Sequence, residues 1–145
     1  MADDMALLVA DIYEAAGALR KSGEAVAGAE GQTQARWQVL SVVSEEALSV
    51  PRAARRLGVA RQSVQRIANE LVHDGLARFQ PNPDHRSSPL LALTPTGHRT
   101  LDAITIRAQA ANQALTADIP AADIAAARAL LRHLTTEIRR HEENG

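Results

Sequence analysis

The 145-residue chain contains no cysteine. That excludes disulfides, thiolate metal sites and a thiol redox switch. Aromatic residues are nearly absent too, with Tyr13, Trp37 and Phe79 making up 2% of the chain. A core must therefore be assembled from Ala, Leu, Val and Ile, which suits helix packed on helix. No apolar run reaches the roughly 18 residues that a membrane-spanning helix needs. The start, Met1-Ala2-Asp3-Asp4, is acidic and offers no basic n-region, so no secretory signal is expected. A soluble, cytoplasmic protein is the expectation. The five histidines, His73, His85, His98, His133 and His141, are too scattered for a metal-ligand spacing, and neither metal nor other cofactor is expected. No nucleophile–base pair or phosphate loop stands at catalytic spacing, so no enzyme is expected.

What is present is an uneven distribution of charge. The whole chain carries −1. Residues 49–100 hold eight arginines (Arg52, Arg55, Arg56, Arg61, Arg66, Arg78, Arg86, Arg99) against Glu70, Asp74 and Asp84, an excess of five. A basic middle in a near-neutral chain suits an anionic partner docking there.

Helical periodicity over 4–21 (Leu8, Ile12, Ala15, Leu19) predicts a first helix. The Gly- and Ala-rich stretch 22–31 breaks the pattern. A second helix opens at Gln32 or Thr33 and carries Trp37, Leu40 and Val43. Ser49 as N-cap and Pro51 in the first turn predict a third helix that ends at Leu57, with Gly58 as its left-handed C-cap. A fourth runs from Arg61 to Asp74-Gly75, with Val64, Ile67, Ala68, Leu71 and Val72 on its buried face. Leu76–Gln80 and Leu90–Leu93 read as a hairpin around the turn-rich Pro81–Pro89, its loop held by an Asp84–Arg86 pair. Thr94-Pro95 opens a long helix to about Thr116, and a last helix covers roughly Ala121–His141.

Two helices joined by only Gly58-Val59-Ala60 make a helix-turn-helix. Ala54 is small where the helices touch, and Val64 and Ile67 anchor the second helix. A hairpin directly after it makes the winged version. The outward face of the fourth helix holds Arg61, Gln62, Gln65, Arg66 and Asn69, with Ser63 near its start. These residue types suit base reading, since Arg pairs with guanine O6/N7 and Gln or Asn with adenine N6/N7. At the loop tip, His85, Arg86 and Ser87 are candidates for minor-groove contact.

Residues 32–100 resemble the MarR family of bacterial transcription regulators. Thr33-x-x-Arg36-Trp37-x-Val39-Leu40 is similar to that family's second helix. Ala54-Arg55-Arg56-Leu57-Gly58-Val59-x-Arg61-Gln62-Ser63-Val64 is similar to its helix-turn-helix. Asn82-Pro83-Asp84-His85-Arg86 and Leu93-Thr94-Pro95-x-Gly97 resemble the wing and the return to helix. Two departures stand out. Ala60 occupies the N-cap where Ser is common, and the wing reads His85-Arg86-Ser87 where Asp-Arg-Arg is common.

The resemblance implies a mainly α fold with a small β-wing, a winged helix-turn-helix flanked by N- and C-terminal dimerisation helices. It divides the chain into 1–31 and 101–145 for dimerisation and 32–100 for DNA. The implied function is a ligand-responsive repressor that binds pseudo-palindromic double-stranded DNA as a homodimer. Its effector would be a small phenolic or anionic molecule. Trp37 is the candidate lining residue, although a lone Trp in a helical core also serves as packing. The apolar stripes of the terminal helices independently suggest pairing with a second copy, the alternative being packing against residues 95–116 of the same chain. The alternative is a winged-helix protein-interaction module without DNA binding, which would leave Arg61, Arg66 and Arg86 without a purpose.

Overall fold

The computed structural model describes residues 3–145. It contains six helices and three strands, in the order α1 (Asp4–Gly28), α2 (Gln34–Val42), β1 (Leu48–Ser49), α3 (Val50–Leu57), α4 (Arg61–His73), β2 (Ala77–Gln80), β3 (Leu90–Leu93), α5 (Pro95–Leu115) and α6 (Ala121–Glu143). The chain forms two compact units, one up to Ala108 and one from Gln109.

The first unit is built on one core. Val39, Leu40 and Val43 of α2 and its C-cap meet Val64, Ala68 and Leu71 of α4, Leu48 and Leu91 of the sheet, and Ile104 of α5. All are essentially excluded from water. The sheet has the order β1-β3-β2 and is antiparallel throughout. Leu48 pairs with Leu91, and Phe79 pairs with Leu91 from the other side.

Side chains define the helix starts. Asp3 Oδ1 accepts from Ala6 N at 2.6 Å, and Thr33 Oγ1 accepts from Arg36 N at 3.1 Å. The Ser49 hydroxyl accepts from Arg52 N at 3.4 Å. Each removes one unpaired donor from a first turn. Thr94 does more. Its hydroxyl accepts from Gly97 N at 3.1 Å and donates to Gly75 O at 2.7 Å. Its amide donates to Leu76 O at 3.1 Å. One residue thus caps α5 and fastens it to the chain leaving α4. Gly97 completes this joint. A side chain there would collide with the Leu76 carbonyl oxygen, with the carbonyl carbon only 2.9 Å away.

Two sequence expectations are corrected. The stretch 22–28 is helical, because α1 runs unbroken to Gly28. Its small residues serve packing: Gly23 and Ala27 are the buried positions of α1. A Cβ on Gly23 would stand 2.8 Å from Gln34 Cγ and 3.7 Å from Trp37 Cζ3. Burial against α2 outweighs the roughly 1 kcal/mol that Gly costs a helix. The sheet also has a third strand, β1, which the hairpin pattern did not show.

In the second unit, α6 contains no buried residue. It exposes Ile124, Leu130, Leu131 and Ile138. Among the described residues no helix is long and apolar enough to cross a membrane.

Candidate nucleic-acid interface

The turn between α3 and α4 is closed by backbone alone. Gly58 sits at φ 68° and ψ 33°, a left-handed conformation that costs a residue with Cβ about 1–2 kcal/mol. The Gly58 amide donates to Arg55 O at 3.3 Å and the Val59 amide to Ala54 O at 3.1 Å, which satisfies the last carbonyls of α3. Ala54 is 2% exposed, so a larger side chain there would force the helices apart.

This turn orients α4. Val64, Ile67, Ala68 and Leu71 clamp one side of it into the core. On the other side Arg61, Gln62, Ser63, Gln65, Arg66 and Asn69 are all exposed, and no part of the described chain covers them. Two of these side chains are tied along the helix. Gln65 Nε2 donates to Asn69 Oδ1 at 3.0 Å, and Arg66 is 3.3 Å from the Glu70 carboxylate. Ala60 at the N-cap supplies no side-chain bond, so the first amides of α4 stay open to an external acceptor.

The wing is β2, β3 and the loop 81–89. Asn82 organises that loop: its Nδ2 donates to Ser88 O at 2.9 Å and its Oδ1 accepts from Asp84 N at 3.1 Å. The expected Asp84–Arg86 pair is not among the ion pairs of the described residues. Asn82 bridges both sides of the loop and the Ser88 amide donates to His85 O at 3.2 Å, so the loop keeps its shape without the ion pair. Arg86 is left free at the tip beside exposed His85 and Ser87.

Between the helix-turn-helix and the wing lies a cleft of about 560 Å³, lined by Arg52, Arg55, Arg61 and His85 together with Glu46 and Asp84. Arg61 also borders a neighbouring cleft of about 380 Å³ with Gln62, Gln65 and Ser87. Arg52, Arg55 and Asn82, which the sequence does not single out as candidates, also line the first cleft. The Asn-Pro-Asp run was a usable signal for Asn82, whose side chain commonly bonds backbone two residues on. Trp37 is half-buried. It packs against the core and borders a groove of about 410 Å³ with Gln38, Val42 and Leu57.

A family model described as the MarR family matches residues 31–86. The uncharacterized protein Rv2011c of Mycobacterium tuberculosis is 57% identical over 139 residues, covering 96% of this chain and 97% of that one. Among solved structures, the MarR family transcriptional regulator Sco5413 of Streptomyces coelicolor superposes with a TM-score of 0.79 at 26% identity, covering 92% of this chain and 94% of that one. CouR of Rhodococcus jostii, solved with p-coumaroyl-CoA bound, superposes with a TM-score of 0.77 at 22% identity, covering 91% and 92%.

Proposed function

The chain belongs to the MarR family of DNA-binding transcription regulators, and from that premise we propose that it is an effector-responsive repressor that reads a pseudo-palindromic operator as a homodimer. The observation that carries the reading is α4, clamped inward by Val64, Ile67 and Leu71 and fully open on the face bearing Gln62, Gln65 and Arg66. A helix so presented enters the major groove by its N-terminal residues. The wing tip, with Arg86 free, reaches toward the adjacent minor groove.

The dimer rests on apolar surface that one chain leaves uncovered. Met5, Leu7, Tyr13 and Leu19 of α1 are exposed, as are the four apolar residues of α6 named above. Paired with a second copy they leave water, at roughly 25 cal/mol per Å². Two copies place two recognition helices about one turn of duplex apart, which multiplies the specificity of one. An anionic effector is the ligand class proposed, by analogy with the acyl-CoA held by CouR. Trp37, on its half-open groove, is the candidate contact. An effector that favours the non-binding spacing lowers DNA affinity by its differential affinity for the two states.

The test is binding to a duplex selected from a random pool, measured by fluorescence anisotropy at two salt concentrations. With about six phosphate contacts, affinity falls roughly a thousandfold between 50 and 200 mM salt. Absence of binding to any duplex would refute the reading and favour the protein-interaction module. Sedimentation at micromolar concentration is expected to show a dimer.

A further inference from the structure

Resting on that reading, we infer that Arg52 and Arg55 of α3 join Arg61 in seating the phosphodiester strand that separates the two grooves, so that Arg61 grips backbone while Gln62 and Gln65 read bases.

These arginines are singled out by the cleft they share; their lack of an ion pair is common to Arg56, Arg78, Arg86 and others of the described residues. Arg36, Arg66, Arg107 and Arg140 each have a carboxylate within 4.0 Å. None of those pairs involves Arg52, Arg55 or Arg61, although all three line one cleft. Arg52 and Arg55 are three residues apart on one helix, a spacing at which like charges repel. The lining also holds Glu46 and Asp84, so the fixed charge is one positive in excess, with His85 beside it. Three arginines gathered from two helices thus leave a net positive charge in the cleft that an anion would offset.

Location identifies the anion. In B-DNA a major groove and its neighbouring minor groove are divided by one sugar–phosphate strand. If α4 occupies the first and the wing tip the second, that strand crosses between them. The cleft lined by Arg52 and Arg55 of α3 and by Arg61 at the start of α4 faces the wing loop at Asn82–His85, beside that crossing.

The test compares Arg52→Gln/Arg55→Gln with the wild type on the selected duplex and on a scrambled duplex of equal length. Arg56→Gln is the control, because Arg56 is exposed on the same helix but does not line the cleft. Each lost contact flattens the slope of log affinity against log salt by about 0.9, so the double variant in a dimer flattens it by about 3.6. The loss should fall equally on both duplexes, leaving their affinity ratio unchanged, and Arg56→Gln should match the wild type. Substituting inorganic phosphate for chloride at constant ionic strength should leave wild-type affinity unchanged. An unchanged slope, a loss confined to the selected duplex, an equal effect from Arg56→Gln, or strong phosphate competition that the double variant lacks would each overturn the assignment. Failure of the wild type to bind either duplex would instead refute the regulator reading itself, and this assignment with it.

Discussion

Replacing Gly97 by Ala sets two forces against each other, and the structure decides between them. In a helix Ala is favoured over Gly by up to about 1 kcal/mol. Against this, the new methyl group would collide with the Leu76 carbonyl oxygen and lie 2.9 Å from its carbon and 3.4 Å from its Cα. These are backbone atoms, so no rotamer relieves the clash. Either the start of α5 or the Leu76 peptide must move, and overpacking of this kind costs about 1–3 kcal/mol. Movement also breaks the Thr94 N–Leu76 O bond of 3.1 Å, worth about 1 kcal/mol. The net is a loss of about 1–3 kcal/mol. Gly28→Ala is the matched control. It sits at the last position of α1 with nothing within 4 Å of the added methyl group, and should be neutral or slightly stabilising. Urea unfolding followed by far-ultraviolet circular dichroism, at one fixed protein concentration, reads both. A Gly97→Ala variant as stable as the wild type, or more so, would refute the close-approach explanation.

Two further outcomes are expected. Asn82→Ala removes both side-chain bonds that shape the wing loop, at about 1 kcal/mol each; DNA affinity should drop while the circular dichroism spectrum is retained, and unchanged affinity would dismiss the wing's contribution. Glu70→Gln releases Arg66 from its carboxylate partner. Stability should change by no more than about 0.5 kcal/mol, as for exposed helix pairs, while affinity for scrambled duplex rises, as anisotropy would show.

The parts of this fold that were legible in the sequence are those whose signals are local. Ser49, Pro51 and Gly58 each specify a conformation within their own turn, so α3 and the turn after it could be placed to the residue. The buried and open faces of α4 followed from periodicity alone. What escaped needed distant partners. Strand β1 is two residues long and exists because Leu48 and Ser49 meet β3 some forty positions later. The continuation of α1 through Gly23 depends on α2 lying against it. Arg52 and Arg55 read as an ordinary solvent face until the wing is folded beside them. The Asp84–Arg86 expectation failed because a neighbouring amide, Asn82, met the loop's needs first. Gly97 belonged to a recognisable motif, yet its reason lay in a carbonyl twenty-one residues earlier.

The bonds from Thr94 to Gly75 and Leu76 tie the C-terminal end of α4 to the N-terminal end of α5. The two must turn as one piece. Thirteen residues of helix extend about 20 Å. Over that length a tilt of about 5° carries the far tip through nearly 2 Å, well beyond the tolerance of a hydrogen bond to a base edge. On the proposed reading, angular steering from α5 would therefore be enough to take Gln62 off a base edge.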